Sequence, residues 1–368
     1  MNNVLDHIED ILLMGAGPSL VTPEVYSALS RNTLGHLDPY LLTIDDEVKA
    51  LLRRIMNTNN DFTIPISGTG SAGMEACFVN LVEPGDRVLV LINGFFGMRM
   101  HEVASRLGAR VDTLEFPWGT PVVVEEVEKQ IRRESYKMVA VVHGETSTGA
   151  RNPVAEIGSL LKGSDTLYIV DTVTTLGGIK CAMDEWNCDA LYSCTQKCLS
   201  CPPGLSPFSF SEKAMTTVKT RKTKVPNWYL DVGLLDDYWG SKRIYHHTVP
   251  ANMIYGLCQA LLLFFGEGPE KVYERHMQAH LALVAGLEEM GLEMFVEKPY
   301  RLPTLNVVSV PAGIDEAAVR RRLRKEFKIE ISGSLGSLAG KTWRIGMLGH
   351  TARVENVARL LNTLRKVL

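Results

Sequence analysis

Between residues 62 and 210, short apolar runs alternate with longer stretches whose apolar positions return every three or four residues. Seven runs have strand character: FTIPIS (62–67), RVLVLI (87–92), RVDTLE (110–115), MVAVVH (138–143), TLYIVD (166–171), ALYSC (190–194) and PFSFS (207–211). Several are apolar throughout, which is the pattern of a strand buried on both faces. Helices are predicted between them, over 73–82, 97–107 and 123–133. Strand and helix in alternation predict an α/β fold built on a mostly parallel seven-stranded sheet, covered on both sides.

The pattern changes near Gly266 and Gly268. Residues 269–290 predict a long amphipathic helix with Pro269 in its first turn, where a missing N–H costs nothing. A strand over 305–312, a helix over 316–326, a strand over 342–348 and a closing helix over 351–367 follow. These make a smaller α+β domain. At 368 residues the chain exceeds what one core usually holds. The expected organisation is an N-terminal arm (1–15), a large domain (16–267) and a small C-terminal domain (268–368).

Composition adds exclusions. Hydrophobic residues are 45% and charged residues 22%, ordinary for a packed globular protein, and the formal net charge is −3. Nothing in that balance calls for nucleic acid, and the basic stretch 320–325 reads as a solvated helix face. No apolar window is long enough for a membrane helix. The first residues carry acids and lack a signal-peptide pattern, and the C-terminal Lys366-Val367-Leu368 departs from the peroxisomal tripeptide. The cytoplasm is the expected compartment.

Two motifs mislead when taken alone. Residues 68–73 match G-x-G-x-x-G between a strand and a helix, but the next strand ends in Asn93-Gly94 without the acid that holds a dinucleotide ribose. What survives is a glycine turn whose N–H groups suit a phosphate. The spacing Cys194-x3-Cys198-x2-Cys201 could hold an iron–sulfur cluster. Cys194 closes an apolar strand, where small buried thiols are ordinary packing residues, so no metal is expected.

Chemistry concentrates in 167–178 and 189–204. One strand ends in Asp171, and the next delivers Lys197, 26 positions later. The C-terminal ends of strands share one edge of a parallel sheet, where ligands bind. An amine and a carboxylate meeting there suit pyridoxal 5′-phosphate: the lysine condenses with the aldehyde, and the carboxylate keeps the pyridine nitrogen protonated. Alone, Asp171 reads as a helix cap and Lys197 as a surface lysine. With a phosphate-suited turn upstream, the pair points to the cofactor.

The chain resembles the class V aminotransferases of pyridoxal-phosphate fold type I, and within them the alanine–glyoxylate and serine–pyruvate group. The resemblance runs through MGAGPS (14–19), GHLDP (35–39), ISGTGSAGMEA (66–76), HGETSTG (143–149), VDTVTTLGG (170–178), LYSCTQKCLSCPPG (191–204), YHHTVP (245–250) and WRIGMLG (343–349). It implies Lys197 as the Schiff-base lysine and Asp171 as the partner of the pyridine nitrogen. It implies that Thr69, Gly70, Ser71 and Gln196 hold the phosphate, that Phe96 in the loop after 87–92 stacks on the ring, and that Thr146 lies beside the ring hydroxyl. Tyr245 and Thr248 would reach the phosphate in a neighbouring subunit, making a homodimer with shared sites. Arg344 would clamp the substrate carboxylate, and Gly17 would border a pocket for a small side chain. Many relatives carry His in place of Ser71 and Trp in place of Phe96. Blander roles exist for some of these: Phe96 as a core aromatic, Arg344 as a structural ion pair, and His246 and His247 as packing residues.

The implied reaction moves the amino group of alanine or serine to glyoxylate or pyruvate in a ping-pong cycle, with Lys197 as general base and then acid. A ureidoglycine- or pyridoxamine-type aminotransferase, or a lyase, is the alternative. A cysteine desulfurase would need a catalytic Cys in the C-terminal part, and the loop 332–340 has none. A silent binding protein on the same fold would have no use for Asp171, Lys197 and Arg344 together.

Overall fold

A computed structural model describes residues 3–368; residues 1 and 2 of the expected arm lie outside the described residues. All seven predicted strands join one sheet: β1 (Thr63–Ser67), β2 (Arg87–Ile92), β3 (Arg110–Glu115), β4 (Met138–Val142), β5 (Leu167–Asp171), β6 (Ala190–Tyr192) and β7 (Leu205–Phe210). Their order is β1-β7-β6-β5-β4-β2-β3. Parallel pairing links β6, β5, β4, β2 and β3, while β7 runs antiparallel to both neighbours. Every residue of β4 and β5 is buried, as their uninterrupted apolar runs require, whereas no residue of edge strand β3 is fully buried. Pro65 lies in β1, the other edge, where a missing N–H is tolerated.

Helix Gly70–Leu81 begins three residues before the sequence pattern suggests. A Cβ on Gly73 would lie 2.1 Å from Ser206 Oγ, so the glycines that blur the helical signal let this helix press onto β7. Helix Phe95–Arg106 also starts early, and this moves Phe96 from the expected loop into a first helical turn. The reason lies elsewhere in the chain, in acceptors supplied by residues 145 and 147. Helices Pro39–Met56 and Ala251–Glu267 pack on each other beside the sheet.

A second apolar core gathers Leu283, Leu287, Val308, Trp343, Ile345 and Leu360. It lies against a three-stranded antiparallel sheet of β8 (Leu305–Ser309), β9 (Ser332–Gly333) and β10 (Thr342–Gly346), ordered β9-β10-β8. Gly268, at φ +96°, separates helix Ala251–Glu267 from Pro269–Glu289. The second of these helices begins on the first core with Val272 and reaches the other core from Ala279 onward. Leu12 and Met14 of the arm belong to the second core, and Leu12–Leu13 pairs in parallel with Ile329–Glu330. No helix among the described residues is long and apolar enough to cross a membrane.

Candidate active site

Asp171 closes β5 and stands in register with Tyr192 at the end of β6, so the two strands deliver their chemistry to one edge. The Asp171 carboxylate accepts from the Tyr192 hydroxyl at 2.7 Å and from the Val173 N–H at 2.7 Å. Burial pushes its pKa up to about 7 against the pull of those two donors. Five residues beyond Tyr192, Lys197 is buried and its amine donates to the Ala16 carbonyl. Burial lowers the pKa of that amine, and the Arg344 charge pushes the same way. Two further bonds fix the lysine backbone: its carbonyl accepts from Ser19 Oγ at 2.6 Å and from Ser200 N at 3.1 Å.

A cavity of about 290 Å³ is lined by Lys197, Asp171, Gly17, Thr69, Gly70, Ser71, Phe96 and Gln196, together with Met74, Arg99, Tyr192 and others. Thr69 is the N-cap of helix Gly70–Leu81, and no side chain caps its first turn. A Cβ on Gly70 would fall 2.9 Å from Cys194 Cβ, so the turn can approach the sheet only without a side chain. Gln196 is half-buried, and its buried Oε1 lacks any partner.

Thr146 and Arg344 lie beside the cavity rather than on its wall. Thr146 is buried, its hydroxyl against that of Thr174. Arg344, on β10, donates from Nε to the Gly333 carbonyl at 2.9 Å and from Nη1 to the Thr146 carbonyl at 3.3 Å. Both acceptors are neutral backbone carbonyls, so the structural ion pair considered for this residue is not formed. Tyr245 and Thr248 are exposed, 3.5 Å from each other, and do not line this chain's cavity. His246 stacks on Trp228 at 4.3 Å and pairs through Nδ1 with His247 Nδ1 at 2.8 Å. His247 in turn meets Ser67 Oγ at 2.8 Å, so both imidazoles serve packing and hydrogen bonding.

Cys194, Cys198 and Cys201 are all buried. Cys194 and Cys198 have pKa values raised to about 12 by burial, and Cys201 belongs to a separate apolar cluster with Val25 and Ala260. One site residue escaped the sequence reading. Glu145 is fully buried, and its carboxylate accepts from Phe96 N at 3.1 Å, Gly97 N at 3.3 Å, Ser147 N at 3.0 Å and Ser147 Oγ at 2.7 Å. Ser147 Oγ also accepts from Phe95 N at 2.9 Å. The signal was an acid inside an otherwise small and neutral segment, HGETSTG.

Comparison with known proteins defines the class. The family model for aminotransferase class-V matches residues 18–360, and the chain belongs to that family. It is a pyridoxal-phosphate-dependent aminotransferase of fold type I. Its curated relatives include an alanine–glyoxylate aminotransferase of Drosophila melanogaster, 41% identical over 97% of this chain and 92% of the relative. An (S)-ureidoglycine–glyoxylate transaminase of Bacillus subtilis is 39% identical, covering 97% of this chain and 90% of that protein. A crystal structure of an alanine–glyoxylate aminotransferase from Nostoc sp. superposes with a TM-score of 0.96 at 46% identity, covering 100% of this chain and 99% of the other.

The residues present fit the cofactor. The uncapped helix start offers backbone N–H groups that a phosphate satisfies. The buried amine of Lys197 and the balanced carboxylate of Asp171 supply the two functions that the ring requires.

Proposed function

We propose that the protein transfers the amino group of alanine or serine to glyoxylate or pyruvate in two half-reactions. The observation that carries this reading is the charge arrangement around Lys197: a buried amine, the Asp171 carboxylate, and an Arg344 guanidinium with no carboxylate of its own.

When bound, pyridoxal 5′-phosphate supplies an aldehyde for the amino group and a protonated ring that draws electrons from the α-carbon. Asp171, oriented by Tyr192 and Val173, would pair with the pyridine nitrogen, whose positive charge would favour the ionised carboxylate against the effect of burial. Thr69, Gly70, Ser71 and Gln196 would hold the phosphate, Phe96 would cover the ring, and Thr146 would stand by the ring hydroxyl. Lys197, shifted toward its neutral form, would remove the α-proton as general base and deliver it as general acid to the carbon that was the cofactor's aldehyde, with the two transfers reversed in the second half-reaction. The fork of Arg344 takes the substrate carboxylate.

The backbone of Gly17 lies against the lysine side chain. That crowding favours a small donor. Tyr245 and Thr248, exposed and away from their own cavity, complete the phosphate site of a second subunit in a cytoplasmic homodimer.

The test is the visible spectrum of the purified holoenzyme. The cofactor band should fall with L-alanine, return with glyoxylate, and be absent in Lys197→Ala. A band that ignores alanine and serine but responds to (S)-ureidoglycine would replace the donor. A band that no amino donor changes would defeat the reading.

A further inference from the structure

The donors assigned to the phosphate, Thr69, Gly70, Ser71 and Gln196, are all neutral, and so are Tyr245 and Thr248. A phosphate monoester carries nearly two negative charges at neutral pH. Only two cations line the cavity among the described residues, Lys197 and Arg99. Lys197 is directed to the Ala16 carbonyl, and burial shifts it toward the neutral form. We propose that Arg99 is the countercharge that this chain provides to the cofactor phosphate. The inference rests on the assignment of this cavity to the cofactor.

Arg99 follows Phe96 by three residues on helix Phe95–Arg106, so the two share a helix face. That helix packs on Gly70–Leu81, whose first turn is the anion cradle, and Ser71 and Met74 of that helix line the cavity with Arg99. The half-buried guanidinium sits 5.2 Å from the Phe95 ring centroid and 5.1 Å from that of Phe96. Aromatic faces hold an arginine without neutralising it.

Glu102 and Glu115 share an outer groove with Arg99, yet neither forms an ion pair with it, and Glu102 is engaged by Arg106 at 2.7 Å. The cation therefore stands unneutralised beside an uncapped helix N-terminus, and both attract an oxyanion. The planar fork suits phosphate oxygens better than an ammonium would.

The experiment is equilibrium binding to the apoprotein, followed by tryptophan fluorescence. Pyridoxal 5′-phosphate is compared with pyridoxal, which lacks the phosphate, in wild type, Arg99→Gln and Arg99→Lys. Arg99→Gln should weaken the phosphorylated ligand by on the order of tenfold and flatten its salt dependence, leaving pyridoxal unchanged. Arg99→Lys should recover part of the loss. Equal weakening of both ligands would mean that Arg99 only supports Phe96, and unchanged binding would assign it to packing or a subunit contact; either overturns the proposal. Wild-type apoprotein that fails to bind pyridoxal 5′-phosphate would instead remove the cavity assignment itself.

Discussion

The carboxylate of Glu145 accepts the backbone N–H of Phe96 at 3.1 Å and thereby ties the loop after β4 to the helix that carries the aromatic ring of the site. Gly97 and Ser147 use the same carboxylate, and a Cβ on Gly94 would fall 2.3 Å from Glu145 Cγ. The acid acts as a helix cap delivered from a distant part of the chain. Glu145→Ala leaves the Phe96 and Gly97 N–H groups without their acceptor, an expected loss of about 2–4 kcal/mol in urea unfolding. Affinity for pyridoxal 5′-phosphate should fall with it as Phe96 loses its anchor. Unfolding that matches wild type would refute the capping role.

Gly17 adopts φ +107°, and a Cβ there would lie 2.9 Å from Cδ, Cε and Nζ of Lys197. Gly17→Ala should displace the amine and reduce kcat/KM by about a hundredfold, a penalty typical of misplacement by an ångström. The backbone conformation adds about 1 kcal/mol or more of destabilisation. Steady-state kinetics separate the effects, because a variant that is destabilised but fully active at low temperature would contradict the steric argument.

Asp45 is wholly buried on helix Pro39–Met56, and neither carboxylate oxygen has a hydrogen-bond partner. Desolvation raises its pKa from 3.8 to about 7, opposed by Arg243 and Lys49 and reinforced by Asp46. The folded value exceeds the unfolded one, so the neutral acid favours folding at low pH. That contribution fades as pH rises toward 7 and is gone above it. Asp45→Asn should remove this slope and be more stable than wild type at pH 8, by up to ~4 kcal/mol. Urea unfolding of both proteins at pH 5 and pH 8 checks the sign; a parallel response in the two proteins would show that Asp45 does not titrate in this range.

Cys194 and Cys198 flank the catalytic lysine, but burial raises their pKa values to about 12. Cys258 is only partly buried, with a pKa of about 11. A thiol reagent at pH 8 should therefore reach Cys258 first and leave the other two unmodified until the protein unfolds. Fast labelling at Cys194 or Cys198, read by peptide mass, would show that the lysine segment opens in the native state.

Much of the site was legible because its signals are local. Asp171 and Lys197 stand at or just beyond strands marked by apolar runs, and the glycines at 68, 70 and 73 mark a turn whatever surrounds them. Phe96 reads as a loop residue in the sequence because its helix has no local cap; the acceptors come from Glu145 and Ser147, about fifty residues away. Arg99 carries no local signal in the sequence, and only the packing of two helices brings it to the cavity.

Local pattern alone is enough to say which segments must be strands, since a run such as MVAVV has no polar face to turn to water. It also determined that an amine and a carboxylate belong to one sheet edge, through the residues that end β5 and follow β6. Long-range packing sets the rest: β7 enters antiparallel between β1 and β6, and the arm's Leu12 and Met14 complete the second core. It alone turned Arg344 toward the carbonyls of Thr146 and Gly333. Apolar periodicity is written in neighbouring residues, whereas strand order, core membership and side-chain partners depend on contacts between distant segments.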